Sequence, residues 1–174
     1  MKKIKYVIVM SSVMISFFIL YINFIGNKVY SCENRYLRYL APKAESIKKV
    51  YVNDDPVYYV YKNNGKTGVI VSGFGYGYGG RIYILALVGT TGAKKNRLQK
   101  FIVVKHRETR SYFYRVNRPF FRNAFLSKTL KQLPYGEKDF KDKLGIDVVS
   151  GATKSSIGIL NAVKNVLNKA RKLK

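Results

Sequence analysis

Cysteine, histidine and acidic residues are scarce in this sequence, and the first two scarcities exclude whole classes of site. Cys32 is the only cysteine among 174 residues, so neither an intrachain disulfide nor a cysteine-based metal site can form. His106 is the only histidine, which argues against a zinc enzyme, because zinc sites combine several such ligands. No nucleophile with an adjacent base and an orienting group is visible. We therefore predict neither a metal site nor a set of catalytic residues.

The shortage of acidic residues leaves a strongly basic chain. Nine acidic residues face 33 lysines and arginines, a formal net charge of +24. Nucleic-acid binding would need a basic face and a recognisable module. The basic residues are instead spread along the chain, so we do not predict a nucleic-acid partner. A solvated, self-repelling surface is the simplest interpretation, and attraction of the domain to anionic membrane lipid is the second.

A long uncharged run lies near the N-terminus. From Tyr6 to Ile25 no residue is charged, and as a helix this run would span roughly 30 Å, the hydrocarbon thickness of a bilayer. Lys2, Lys3 and Lys5 precede it, and no small-residue cleavage site follows it, which favours a retained anchor over a cleaved signal. We predict one transmembrane helix within residues 1–28. The leading lysines indicate a single-pass plasma-membrane protein whose C-terminal domain is extracytoplasmic.

The segment after this run has helical spacing. Apolar residues recur at steps of three and four between Tyr36 and Ile47, which predicts a helix over Glu33–Val50 with an interruption at Pro42. Asn53–Pro56 is a turn signal. Residues 29–56 are therefore predicted to be a helical linker region.

Residues 57–174 have the pattern of an α+β domain. Val57–Tyr61 and Gly68–Ser72 flank the turn Asn63–Gly65 and predict a β-hairpin. Further strands are predicted at Arg81–Val88 and Leu98–Lys105, and helices at Arg118–Leu130 and Lys154–Lys172. The predicted fold is an antiparallel sheet with packed helices, preceded by the N-terminal transmembrane helix.

One glycine motif is misleading. Gly75–Gly80 formally matches G-x-G-x-x-G, the fingerprint of dinucleotide binding. That fingerprint requires a helix after the glycines, so that the phosphate meets a helix N-terminus. Here a predicted strand follows, at Arg81–Val88, and the Rossmann interpretation fails. The glycines indicate close approach of the backbone to a ligand or to another strand, or simply a bulge or wide turn.

A second motif is suited to phosphate. Asp147–Thr153 stands immediately before the last predicted helix, where unpaired N–H groups and a positive dipole end would meet an anion. Gly151 and Ala152 permit close approach of the backbone, Lys154 adds a cation, and Thr153 offers a hydroxyl. The alternative is that Thr153 is an ordinary helix cap.

These residues resemble D-x-x-[S/T]-G-A-T, the flavinylation signature of the FMN-binding domain family. Its members include the G subunit of the Rnf electron-transport complex and the C subunit of the sodium-pumping NADH:quinone reductase. The resemblance implies FMN bound covalently through a phosphoester to Thr153, installed by a dedicated flavin transferase that uses FAD. It implies that Ser150, Gly151 and Ala152 form the attachment loop and that Asp147 begins the motif.

The resemblance extends to a second segment. Family members have a Glu-Thr pair followed by Pro-Gly-Leu-Gly, which lines the flavin; here Glu108 and Thr109 match the pair, but Arg110–Phe113 follows. Glu108 and Thr109 are therefore expected at the cofactor site. Because of this departure, we expect the flavin ring to stack on Tyr112 or Phe113.

The sequence thus predicts a membrane-anchored flavoprotein that carries FMN on Thr153 and transfers electrons outside the cytoplasm, with membrane electron-transport proteins as partners. We expect an electron carrier rather than a stand-alone enzyme. Two alternatives stay open: a cofactor-free, membrane-tethered basic protein that binds anionic lipid or polymer, and an FMN-dependent reductase of a small molecule.

Overall fold

The computed structural model describes residues 14–16 and 34–173, and the chain divides into two compact units, Met1–Arg38 and Tyr39–Lys174. In the first unit, residues 14–16 and 34–38 are helical. Within the described ranges, no helix is both long and apolar enough to cross a bilayer. The predicted transmembrane helix, apart from residues 14–16, lies outside the described residues.

A five-stranded antiparallel sheet forms the centre of the second unit. Its strands follow one another in space as they do in sequence, with β1 and β5 at the two edges. The strands are β1 (Ser46–Val52), β2 (Asp55–Lys62), β3 (Gly65–Tyr76), β4 (Arg81–Gly89) and β5 (Leu98–Lys105). The α+β class, the hairpin around Asn63–Gly65 and the strands predicted at Arg81–Val88 and Leu98–Lys105 are confirmed.

Two tight turns explain why the first three strands form hairpins. Asn53 and Asp54 have φ of 50° and 62°, and Asn63 and Asn64 have φ of 50° and 58°. Two consecutive left-handed residues give a turn whose twist matches that of paired strands, and asparagine and aspartate tolerate this conformation. Each two-residue turn therefore sets the register of its hairpin.

The helix predicted over Glu33–Val50 is wrong in its second half. Residues 34–40 are helical, but Ser46–Val52 is strand β1 and pairs along its whole length with β2. Ile47 and Val50 are three residues apart, so these apolar residues follow the helical period and not the alternation of a strand. Pairing across the Asn53–Asp54 turn favours the strand, which shows tertiary context overriding a local pattern.

Within the described residues, four α-helices follow the sheet in sequence. They are α1 (Arg110–Val116), α2 (Pro119–Asn123), α3 (Phe140–Leu144) and α4 (Thr153–Lys172). The helix predicted over Arg118–Leu130 is wrong beyond Asn123. The backbone there pairs with the start of β5 instead: the Ser127 N–H donates to the Leu98 carbonyl at 2.7 Å, and the Leu98 N–H donates to the Lys128 carbonyl at 3.0 Å.

Helix α4 lies directly on β3 and β4 because glycines remove the side chains between them. A Cβ on Gly73 would lie 2.7 Å from the Ala162 carbonyl oxygen, and one on Gly75 would overlap the Gly158 carbonyl oxygen. The apolar stripe of α4 is buried against the sheet: Ile159, Leu160, Val163, Val166, Leu167 and Ala170. This close packing brings the start of α4 to the turn between β3 and β4.

Candidate functional site

The Asp147–Thr153 motif ends at the first turn of α4. Thr153 is the first helical residue, and Ala152 is the N-cap, with no side-chain hydrogen bond to the helix. The interpretation of Thr153 as an ordinary cap is therefore wrong, because alanine occupies the cap position. In the described part of the chain, no hydrogen bond involves the Thr153 hydroxyl, and the first-turn N–H groups lack a side-chain acceptor from the cap.

The loop before Thr153 is fixed in a tight conformation. Gly151 has φ of +74°, a left-handed conformation that favours glycine. The Ala152 N–H donates to the Val149 carbonyl at 2.8 Å. The Ser156 hydroxyl accepts from the Val149 N–H at 3.2 Å and donates to the Ala152 carbonyl at 3.1 Å. These bonds hold the attachment loop against the helix without using Thr153.

Glu108 connects three segments around this helix start. Its carboxylate accepts hydrogen bonds from the Tyr78 N–H at 3.2 Å, from the Gly79 N–H at 2.7 Å and from the Ser155 hydroxyl. Glu108 is 8% exposed and Ser155 is 2% exposed; among the described residues, Glu108 is the only buried charged side chain. We call this set of hydrogen bonds, which join Glu108 to Tyr78, Gly79 and Ser155, the Glu108 clasp. A Cβ on Gly77 would lie 2.6 Å from the Glu108 carboxylate oxygen Oε1, so only glycine at position 77 leaves room for the carboxylate.

A cavity of about 420 Å³ opens beside these groups. Its volume is in the range of cofactor and ligand pockets. Its walls are formed by Tyr78, Glu108, Thr109, Tyr112, Gly151, Ala152, Thr153, Lys154 and Ser155. A depression of about 450 Å³ lies elsewhere, around Gly68 and Gly89, and includes none of the motif residues.

Two exposed tyrosines form the aromatic part of this cavity. Tyr78, in the turn between β3 and β4, is 78% exposed, and Tyr112, in α1, is 48% exposed. The Lys154 ammonium lies 5.5 Å from the centre of the Tyr78 ring. The cavity thus combines a cation, free N–H groups and a hydroxyl at one end with aromatic faces suited to a flat ring.

Six of the eight predicted site residues line this cavity. The other two, Asp147 and Ser150, are exposed and are not on its wall; the Ser150 carbonyl accepts a long hydrogen bond from Arg115 at 3.4 Å. The six are Glu108, Thr109, Gly151, Ala152, Thr153 and Lys154.

Of the two rings proposed for stacking, the structure places only Tyr112 at the cavity. Phe113 is buried, and its ring stacks on His106 with centroids 3.7 Å apart, outside the cavity wall. Tyr78 was not predicted as a site residue. The alternation of glycine and tyrosine in Gly75–Gly80 was its only sequence signal. No cluster suited to a metal ion is present among the described residues.

Comparisons with known proteins agree with this geometry. Residues 77–168 match the family model described as FMN-binding domain, which covers more than half of the chain and all of the cavity wall. The crystal structure of Shewanella oneidensis NqrC is similar, with a TM-score of 0.50 and 25% sequence identity. The similarity covers 75% of this chain and 70% of that one. No curated protein matches the sequence significantly.

Proposed function

This chain belongs to the FMN-binding domain family, and from that premise we propose that it is an electron carrier with FMN joined to Thr153 by a phosphoester. The observation that supports the linkage is the position of the Thr153 hydroxyl. It stands on a cavity wall, at the first turn of a 20-residue helix, beside Lys154 and without a hydrogen bond in the described part of the chain.

The residues at this end of the cavity fit a phosphate group. Unpaired N–H groups and the helix dipole favour an anion at a helix N-terminus, by ~0.3–1 kcal/mol for the dipole alone. The left-handed Gly151 allows the backbone to approach closely, and a Cβ there would lie 3.6 Å from the Tyr112 ring. Lys154 supplies a neutralising charge.

The attachment is a transfer of the FMN moiety from FAD by the flavin transferase. The Thr153 hydroxyl oxygen forms a bond to the phosphorus nearest the flavin, while the bond from that phosphorus to the bridging oxygen breaks. AMP leaves, and the hydroxyl proton passes to a base or to water. No oxidation or reduction occurs in this step.

FMN supplies the redox chemistry, and this chain binds and orients it. Tyr78 and Tyr112, on the cavity wall, would offer aromatic faces to the isoalloxazine ring. Glu108 positions the cavity wall: its carboxylate accepts from the Tyr78 and Gly79 N–H groups and from the Ser155 hydroxyl, and these bonds fix the position of the β3–β4 turn.

The setting of the carrier is a membrane. The uncharged run Tyr6–Ile25 and the similarity to NqrC support a membrane-anchored protein with electron-transport proteins as partners. The lysines before the run support an extracytoplasmic position of the domain. A covalent bond would prevent loss of the cofactor there.

The linkage is tested by expressing the full chain together with a flavin transferase. The protein should give a fluorescent band under ultraviolet light on a denaturing gel, and Thr153→Ala should give none. Thr91→Ala is the matched control, since this threonine is exposed, lies away from the cavity wall and should leave the band unchanged. A fluorescent Thr153→Ala protein would refute the assignment. A non-fluorescent wild type would favour the cofactor-free alternative.

A further inference from the structure

Helices α1 and α2 carry arginines and exposed aromatic rings, and α1 also contributes Tyr112 to the cavity wall. Their apolar contacts with the core come from Phe113 and Val116 in α1 and from Phe121 in α2. In contrast, Tyr114 is 64% exposed and Phe120 is 74% exposed. Each short helix thus has one aromatic ring in the core, while α1 has two exposed rings and α2 has one.

Three of the outward side chains are related by helix spacing or by a direct contact, and the fourth is close to them in sequence. Arg110 and Tyr114 are one helical turn apart on α1, so they lie on the same side of that helix. The Arg118 guanidinium is 4.9 Å from the centre of the Tyr114 ring and links α1 to the start of α2, where Phe120 follows. We call these four residues the arginine–aromatic surface.

No acidic residue lies between Glu108 and Glu137, so the sequence around this surface carries positive charge only. An anionic surface is therefore its electrostatic complement. Arginine with interleaved aromatic rings is typical of contact with a bilayer interface, where the cations meet phosphates and the rings lie at headgroup depth.

We propose that the arginine–aromatic surface docks on anionic phospholipid headgroups. Phe120 enters the interface, while Arg110 and Arg118 pair with lipid phosphates. Tyr112 lies on the same helix, α1, and lines the cavity. Because Tyr112 is two residues from both Arg110 and Tyr114, it lies on another side of α1, so docking holds the FMN site close to the membrane without turning its opening into the lipid. This inference rests on the membrane location in the proposed function and not on the flavin bond.

The sequence makes the test simple, because it contains no tryptophan. Phe120→Trp introduces the only tryptophan of the chain at this surface, and its emission can be excited selectively over that of the tyrosines. We would reconstitute the full chain into vesicles of phosphatidylcholine alone or of phosphatidylcholine with phosphatidylglycerol. The emission should move to shorter wavelength only with the anionic lipid, and lipids with brominated tails should quench it.

Tyr51→Trp is the matched position. Tyr51 is 65% exposed and lies beside Lys49, but it is on β1, the sheet edge opposite the β5 edge from which α1 continues. Its emission should be the same in both lipids. An equal shift at both positions, or no shift at Phe120→Trp, would overturn the proposal.

Charge-reversal variants distinguish attraction of the arginine–aromatic surface to anionic lipid from attraction due to the net charge of the whole domain. In the Phe120→Trp background, Arg110→Glu with Arg118→Glu should abolish the shift. Lys48→Glu with Lys62→Glu changes the net charge equally, at exposed positions on β1 and β2, and should preserve it. Loss of the shift in both pairs would refute a specific surface.

Two readouts keep this inference distinct from the proposed function. The protein mass reports flavin attachment in the same samples, so failure of the flavin bond and failure of docking are recognised separately. Polyglutamate added without vesicles serves as an acidic-protein probe. If it shifts the emission and anionic vesicles do not, the surface binds an acidic protein and the lipid proposal is wrong.

Discussion

One part of the cavity wall is fixed by buried hydrogen bonds, whereas another consists of exposed aromatic rings. Glu108 and Ser155 are 8% and 2% exposed and bond to each other, and Glu108 also accepts two backbone N–H groups. Tyr78 and Tyr112 are 78% and 48% exposed. The comparison separates a wall in which the Glu108 carboxylate joins the β3–β4 turn to α4 from a wall of solvent-exposed tyrosine rings. Substitutions in the hydrogen-bonded part should therefore reduce the stability of the protein, whereas substitution of an exposed ring should change the flavin fluorescence with little effect on stability.

The largest loss of stability is expected from a substitution at the contact between β3 and α4. Gly75→Ala would push a methyl group into the backbone of α4, with Ala162 N at 2.8 Å and the Gly158 carbonyl closer still. We expect the free energy of unfolding to fall by about 3 kcal/mol, the upper range for overpacking. Denaturant unfolding followed by circular dichroism measures it.

Gly136→Ala is the control for that substitution. A Cβ there has no atom within 4 Å, so the change should stay within about 0.5 kcal/mol. Equal losses at Gly75 and Gly136 would contradict the close packing of α4 on β3.

Glu108→Gln should have the next largest effect. The amide can accept through its oxygen, but its NH₂ group would face a backbone N–H of Tyr78 or Gly79 and leave a buried donor unpaired. A loss of about 2 kcal/mol is expected. Glu137→Gln removes the same charge at an exposed position and should have little effect. A Glu108→Gln protein as stable as the wild type would show that the clasp does not stabilise the fold.

Ser155→Ala should cost less, about 1 kcal/mol, because only one hydrogen bond to Glu108 is lost. The double variant with Glu108→Gln tests whether the two residues act together. Residues in one network are not additive, so its loss should differ from the sum of the single losses. Strict additivity would contradict a shared network.

The smallest effect on stability is expected at the exposed part. Tyr112→Ala should change the free energy of unfolding by less than about 0.5 kcal/mol. The flavin should remain attached, but its fluorescence should rise, because a stacked aromatic ring quenches it. Tyr114→Ala, on the same helix but off the cavity wall, is the control and should leave the fluorescence unchanged. An unchanged spectrum for Tyr112→Ala would place the ring elsewhere.

The sequence predicted the parts of the fold that have strong local signals. The hairpin at Asn63–Gly65, strands β4 and β5, and the long helix α4 all have turn chemistry or clear periodicity. The prediction of helix at strand β1 is wrong, because the strand is specified by its partner across the Asn53–Asp54 turn and not by its own residue pattern. The short helix α1 was not predicted at all.

The candidate site shows the same division. Thr153 and its loop are contiguous in sequence, so a motif could indicate them. The clasp at Glu108 joins residues 29, 30 and 47 positions away. No local pattern specifies such contacts, and only the packing of α4 on β3 brings them together. Tyr78 likewise lies on the cavity wall because of this packing, which no local sequence pattern specifies.

The central claim is most directly tested by the intact mass of the full chain produced with an active flavin transferase, followed by peptide mapping. We predict a protein heavier than its polypeptide by one FMN less one water, with the added mass on the peptide that contains Thr153. A mass equal to that of the polypeptide alone, from cells in which the transferase modifies a known substrate, would contradict the account.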